Sequence, residues 1–341
     1  MGAKTIKISP DDSTYNALPG PSGSISKNGE EITDTILGQS FQSTEAGLID
    51  WSIESSAYYK GFAGYKATVK KAGTSTSTTG ESMSQLDGQT YMIDDFSKSL
   101  WDQGANVIVY DNGSDVTSNV NNINYLFGQV TFEDTYTVSG PVTVDCSYFP
   151  LSSFGKAGDF TLTMSAETKN ETDRDSVQSN GGFRVYSMGL RTVSLELSSF
   201  YDTANNFFTT LKNREQIIIE INPDGNSKSV ARGYFRLITD EQSGEVGALE
   251  EESVTFNLNV QDANQVPFEW YHTSDTTLYQ AIKNLLDAWE NQGTAYSKYL
   301  PDGTNGYKGE VVPTDVSLSS TMDGMNEFTA TMQGTGELTA V

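Results

Sequence analysis

Residues 47–59 read Gly-Leu-Ile-Asp-Trp-Ser-Ile-Glu-Ser-Ser-Ala-Tyr-Tyr, and the segment returns 142 positions later as Gly189-Leu190-Arg191-Thr192-Val193-Ser194-Leu195-Glu196-Leu197-Ser198-Ser199-Phe200-Tyr201. In both copies the apolar side chains fall on alternate residues, Ile49, Trp51 and Ile53 in one, Val193, Leu195 and Leu197 in the other. That is the period of a strand with one buried face. A strand that returns with its flanks intact marks a duplicated structural unit, so repeats are sought before any site is interpreted.

Outward from this pair, the same alternation runs through Phe160, Leu162, Met164; Val254, Phe256, Leu258, Val260; and Phe328, Ala330, Met332. Turn signals separate the strands: Asp111-Asn112-Gly113, Pro223-Asp224-Gly225 and Pro301-Asp302-Gly303, in which Pro sets φ and Gly supplies positive φ. One segment has helical spacing, with Leu278, Ile282, Leu285, Leu286 and Trp289 on one stripe, Ser274 or Asp275 as N-cap and Gly293 as stop. A shorter helix is expected at Phe207, Phe208 and Leu211, and the remainder is expected to be β.

A second echo links the middle of the chain to its end. Phe200-Tyr201-Asp202-Thr203 and the short helix match Trp270-Tyr271-His272-Thr273 and the long one; Pro223-Asp224-Gly225 matches Pro301-Asp302-Gly303; Arg232-Gly233 matches Lys308-Gly309. One unit therefore lies whole between 153 and 262, while the halves of another sit at opposite ends. The expected organisation is a discontinuous domain, 1–61 with 263–341, interrupted by a second such domain at 153–262. Residues 62–152, with strands at 89–94, 107–110, 129–132 and 142–145, form a small inserted β decoration. A plain tandem arrangement is the alternative.

Composition narrows the function. The chain has 341 residues, 21 basic and 45 acidic side chains, and a formal charge of −24. A nucleic-acid grip by counterion release needs clustered Lys and Arg, so that class is excluded. The single cysteine, Cys146, rules out an intrachain disulfide and points to folding in a reducing compartment. No apolar run suits a signal peptide or a membrane span, so a protein without export signal or membrane contact is expected.

Chemistry-bearing residues are few. His272 is the only histidine, placed just before a helix, where a surface or cap-proximal role outweighs general-base catalysis. Cys146 shares the apolar face of Val142 and Val144, which suits a small buried residue more than a nucleophile. Glu250-Glu251-Glu252 and Asp94-Asp95 read as solvated runs beside strands. No calcium loop, zinc helix, Walker loop or dinucleotide fingerprint is present. No catalytic, cofactor-binding or metal residue is expected, and hence no cofactor. Trp51 and Trp289 take core-facing positions; exposed aromatic residues keep a β-sandwich adhesin or carbohydrate-binding module as the alternative function.

The two units resemble the major tail tube proteins of long-tailed bacteriophages. The residues carrying the likeness are Ile32-Thr33-Asp34, Gly47 to Ile53, and the ending Gly309 to Ser319 followed by Asn326 to Leu338 with its Gly334-Thr335-Gly336. In the inner unit they are Gly189 to Leu195, Ile217 to Ile221, Arg232 to Phe235, Ser243 to Gly247 and Glu250 to Leu258. The resemblance covers about two-thirds of the chain, omitting 62–152. It implies β-sandwich units, each with one flanking helix and a long loop between early strands, and a structural virion protein assembled in the host cytoplasm. The implied partner is the chain itself, stacked as rings into a tube through which DNA passes without specific binding, with other tail proteins at the tube ends. Two units per chain imply a trimeric ring of pseudo-six-fold symmetry, with a hexamer as the alternative. The segments 33–46 and 172–188 correspond to the long loops, and their apolar residues Leu37, Phe41, Phe183 and Tyr186 are expected to be exposed in a free subunit and buried between stacked rings.

Overall fold

The structure is a computed structural model that describes residues 4–20, 22–34, 43–154, 157–202, 205–223, 225, 229–245, 250–260, 266–272 and 280–341. It is mainly β. The chain opens with β1 (Thr5–Ser9), β2 (Asn16–Ala17), β3 (Ser22–Asp34), β4 (Ser43–Ala63) and β5 (Thr68–Ala72). There follow β6 (Thr76–Asp87), β7 (Thr90–Ile93), β8 (Ile108–Asp111), β9 (Ser114–Asp115), β10 (Val120–Asn124), β11 (Gln129–Phe132), β12 (Val142–Tyr148) and β13 (Leu151–Ser153). Next come β14 (Ala157–Asn170), α1 (Arg174–Ser179), β15 (Tyr186–Phe200), α2 (Phe207–Asn213), β16 (Gln216–Asn222), β17 (Ser229–Ser243) and β18 (Glu251–Leu258). The chain closes with β19 (Phe268–His272), α3 (Gln280–Glu290), β20 (Ala295–Leu300), β21 (Tyr307–Ser320) and β22 (Met325–Ala340). Packing divides it into two compact units, 1–65 with 159–196 and 277–341, and 66–158 with 197–276.

In the first unit the strands run β2-β1-β20-β21, and β22, β4 and β3 continue from β21 on its other side. Strict alternation sends Ile53, Met332, Ala330, Phe328, Val316 and Leu318 to one face, where all are buried. Trp51 is buried on the same face and its indole N–H donates to Gly336 O at 3.1 Å. Space for that ring comes from glycine: a Cβ on Gly334 would stand 2.1 Å from it. Helix α3 lays Ile282, Leu285, Leu286 and Trp289 against β1 and β21. Its expected caps, Ser274 and Asp275, lie outside the described residues. At the other end the left-handed residue is Gln292, φ 52°, and Gly293 follows it, donating to Ala288 O at 2.8 Å. Arg191 also donates to the terminal carbonyls of Trp289, at 3.0 Å, and Glu290, placing a cation at the negative end of the helix.

In the second unit the order is β13-β5-β16-β17-β18, with β19 beside the start of β17. This repeats the order β2-β1-β20-β21-β22. Strands β5 and β13, inside the segment expected to be decoration only, pair into this sheet; each offers alternation too little apolar material, Val69 in one and Leu151 in the other. The decoration proper is the connection between them, a seven-stranded sheet ordered β10-β11-β7-β6-β12-β8-β9. Its core gathers Trp101, Val109, Val130, Phe132, Val144 and Cys146. The hairpin β8–β9 turns on Asn112-Gly113, φ 50° and 79°, the two left-handed residues a tight right-twisted hairpin requires. Helix α1 was not expected from apolar spacing, and it rests instead on a capping box in which Asp173 accepts from Ser176 N at 2.7 Å and Ser176 Oγ accepts from Asp173 N at 2.8 Å.

Candidate assembly surfaces

The two long strands β21 and β17 hold equivalent places and differ at one edge. Each has one neighbour along most of its length, β22 for β21 and β18 for β17. Each carries a one-residue bulge in that ladder, between Pro313 and Asp315 in β21 and between Leu237 and Thr239 in β17. On the opposite edge of β21, β20 ends at Val311 and β14 takes over, pairing Phe160–Ser165 with Asp315–Ser320. On the opposite edge of β17, β16 ends at Arg236, and among the described residues no strand pairs with Ile238–Ser243 there. The covered strand buries Val316 and Leu318; the bare one leaves Ile238 48% exposed. Strand β3 is bare in the same sense, pairing with β4 alone. Backbone N–H and C=O groups along both edges are available to another strand.

Beside the bare edge lies a pair of carboxyl groups. Glu252, on the buried face of β18, is 3% exposed and stands opposite Gln242, whose amide donates to Oε1 at 3.2 Å. Its Oε2 and Asp240 Oδ1 are buried and have no donor among the described residues. Burial raises the Glu252 pKa above the usual carboxylate range, and the Asp240 and Asp202 charges raise it further. Glu252 is therefore not part of a solvated run as expected; its neighbours Glu250 and Glu251 are exposed, because alternation sends only one residue of the triplet inward.

The face of the first unit's sheet opposite its core is lined by hydroxyls and carboxylates. One row crosses it as Ser24, Glu54, Thr331, Asp315 and Ser165, and the next as Ser22, Ser56, Thr329, Ser317 and Thr163. A third holds Tyr58, Glu327, Ser319 and Thr161. None of these rows contains Lys or Arg.

In the second unit Arg232, 1% exposed, donates from Nε and Nη2 to Glu220 Oε2 at 2.9 and 2.7 Å, and from Nη1 to Ser99 Oγ at 2.8 Å and Leu126 O at 2.6 Å. The rings of Phe96 and Phe127 flank it at 4.8 and 4.9 Å, and Lys70 reaches Glu220 at 3.2 Å. A cleft of about 500 Å³ opens beside it, with Asp94, Asp95 and Ser97 on its rim. The guanidinium's donors are already engaged, so this group fastens the insert to its sheet rather than offering a binding head.

The residues singled out from sequence fall as follows. Leu37 and Phe41 lie outside the described residues. Phe183 and Tyr186 are half-buried instead of exposed, because their segment is laced to β4 and β22. Ile49 N donates to Gly182 O and Arg184 N to Ile49 O, both at 3.0 Å; Tyr186 OH donates to Asp50 at 2.8 Å and Tyr186 N to Thr335 Oγ1 at 2.8 Å. His272 ends β19, stacked on Trp270 at 5.6 Å and within 3.2 Å of Ser229 Oγ. Cys146 is buried, and burial pushes its thiol up to about 12, away from nucleophilic reactivity. Among the described residues no group of three His, Cys, Asp or Glu could hold a metal ion, and no helix is long and apolar enough to cross a membrane. Lys27, Asp240 and Glu252 were missed. The signal for Asp240 was charge placed within the strand pattern 239–243, a common guard of an open edge.

No known family model matches the chain, and no curated protein matches it. Among solved structures, a chain from the virion of a native gene transfer agent particle is similar over 36% of this chain and 89% of that one, at 15% identity and TM-score 0.29. A chain from the tail of an empty gene transfer agent particle, computed with helical refinement and C6 symmetry, is similar over 36% of this chain and 87% of that one, at 16% identity and TM-score 0.28. At these values a likeness assigns no function.

Proposed function

We propose that the chain is a non-catalytic structural protein of a phage-type tail, which assembles with copies of itself into stacked rings forming the tail tube. The observation that carries this reading is the strand pairing of β14 with β21. It supplies, inside one chain, a join between the two repeats, while β3 and the outer half of β17 are bare at the corresponding places among the described residues. A second copy offering its β3 to this chain's β17 repeats the join, and three copies close a ring of six repeats. Closure covers both of these long edges, which removes an aggregation hazard.

In this reading the two repeats are tail tube domains, 1–61 with 263–341 and 153–262, and 62–152 carries the inserted decoration. The hydroxyl and carboxylate rows face the lumen. A polyanion crossing such a wall meets no cation to hold it and is repelled within the Debye length of about 8 Å. Leu37, Phe41, Phe183 and Tyr186 serve the contact between successive rings; changing Phe41 and Phe183 together to Ser is expected to leave folded subunits that do not stack. Electron microscopy of the purified chain tests the whole: tubes of three-fold symmetry with six similar inner lobes are expected. Six full chains per ring, or a wall built from one repeat of each chain, would overturn it. Discrete subunits that bind glycans would favour the adhesin.

A further inference from the structure

The bare edge of β17 differs chemically from the covered edge of β21. The first observation is the alignment of the repeats. The matching bulges place Asp240 of β17 where β21 has Val316, and Gln242 where β21 has Leu318. In β18 the same shift places Glu252 where β22 has Phe328, since Gln242 pairs with Glu252 as Leu318 pairs with Phe328. The second observation concerns the strand that covers this edge. A Cβ on Gly23 would stand 3.1 Å from Glu54 O, and one on Gly158 would stand 3.2 Å from Ser198 O. With β4 and β15 aligned by their 142-residue repeat, these approaches place Ile25 of β3 where β14 has Leu162, and Lys27 where it has Met164.

Within the chain, Met164 pairs with Val316 and Leu162 with Leu318, and all four are buried. The covered join is an apolar seam. At the bare edge the same positions hold Asp240 and Gln242 with Glu252 behind them, and the incoming strand would carry Lys27. Lys27 is exposed, its ammonium resting 3.4 Å from the centre of the Tyr307 ring without a carboxylate partner among the described residues. Asp240 and Glu252, by contrast, carry buried oxygens without donors among the described residues. Leaving such oxygens unpaired is costly, and a cation delivered to them removes the cost.

We propose that Lys27 of a second copy enters beside β17 and pairs with Asp240 and Glu252, so that an ion pair closes the ring between copies where apolar residues close it within the chain. The proposal rests on the tube reading and names the partner of that bare edge. The charged groups facing the site are Asp240 on β17, Glu252 on β18 and Asp202 after β15. An ionic seam suits a contact that must stay soluble as a free subunit and form only against its mate; an apolar one left bare would pair indiscriminately.

Charge reversal in the full chain tests it, with assembly followed by light scattering and electron microscopy and folding by circular dichroism. Lys27→Glu and Asp240→Lys are each expected to slow assembly about ten-fold or more, and the doubly reversed chain to recover it. A Lys27→Cys, Asp240→Cys chain is expected to form disulfide-linked oligomers under oxidation of its assembled form, Cys146 being buried. Wild-type tubes combined with indifference to both single reversals, or with no recovery in the double reversal, would overturn the pairing alone. A wild-type chain that stays monomeric, with no cross-linked oligomers from the cysteine variant, would overturn the tube reading and the pairing with it.

Discussion

Lys308 and Arg232 hold the same place in the two copies of the sheet, each one residue before a glycine, yet Lys308 lies at the surface and Arg232 is buried. The difference comes from the connection opposite. Between β1 and β2 the chain spends residues 10–15, and from that short loop Asp12 meets Lys308 at 2.8 Å in solvent. Between β5 and β13 the equivalent connection carries the seven-stranded insert, which brings Ser99, Leu126, Phe96 and Phe127 onto Arg232 and seals it with Glu220. One backbone position thus supports a screened ion pair or a sealed one, according to what the loop delivers. The sealed version has a use: it fixes a large insertion to its host sheet through a group that cannot be left alone.

The largest effect is therefore expected at Arg232. Arg232→Met leaves the Glu220 carboxylate buried with only Lys70 beside it, and a loss of about 3–5 kcal/mol is expected in urea unfolding. Pairing it with Glu220→Leu is expected to restore most of that loss, since an apolar pair of similar volume has no uncompensated charge. If Arg232→Met alone costs under about 1 kcal/mol, the insert is not held by this group and the contrast with Lys308 fails.

A second contrast, between the covered and the bare strand edge, gives the next effect. Leu162→Ala removes a fully buried side chain from the β14–β21 seam and is expected to cost about 2–5 kcal/mol. Ile238→Ala on the bare edge of β17 is expected to change the unfolding free energy of the free subunit by less than about 0.5 kcal/mol. Equal losses at the two sites would mean that the β17 edge is covered in the free chain.

Much of this architecture is legible in the sequence because its core strands obey one rule, alternation, and the rule survives duplication. Ile49 to Ile53 and Val193 to Leu197 announce themselves, as do Phe328 to Met332 and the α3 stripe. What escapes is whatever lacks apolar periodicity. Strand β3 carries Ser, Lys, Asn and Glu around only Ile25 and Ile32, and half of β6 is Ser and Thr; both form because a neighbour's backbone fixes them, which composition does not record. The match of Arg232-Gly233 to Lys308-Gly309 is visible in the sequence, but not that one cation is buried, because burial depends on where the long insert folds back. The carboxyl pair was hidden for a related reason: Glu252 belongs to a run of three identical residues, and only the strand phase separates the inward one from its exposed neighbours.

Glu252 sets a smaller effect with a definite pH sign. Its carboxyl titrates above the usual range in the folded chain, first through burial and then through Asp240 and Asp202. The folded state then binds a proton more readily than the unfolded one, so the favourable contribution is full below the ordinary carboxylate pKa and is lost as pH rises through the folded value. Glu252→Gln keeps the shape without the charge. It is expected to raise the stability of the free subunit at neutral pH by up to about 1 kcal/mol and to flatten this part of the stability curve. A loss of stability at neutral pH would show that the carboxylate is already paired.

Lys308→Ala is expected to give only a small change, and its smallness is what the comparison with Arg232 requires. The ammonium of Lys308 donates to both oxygens of Asp12, at 3.2 and 2.8 Å, and the bond, with a second from Tyr15 OH, holds the Asp12 carboxyl below its usual range. Both partners remain about a third exposed, so water and salt screen most of that attraction, and the expected loss is about 0–1 kcal/mol. The sign with pH is opposite to that at Glu252. A depressed carboxylate contributes above its unfolded pKa and loses the contribution as pH falls through the folded value, so the difference between wild type and Lys308→Ala is expected to vanish in acid and to shrink at high salt. A loss at neutral pH as large as that of Arg232→Met, insensitive to salt, would show that burial by the insert is not what separates the two positions.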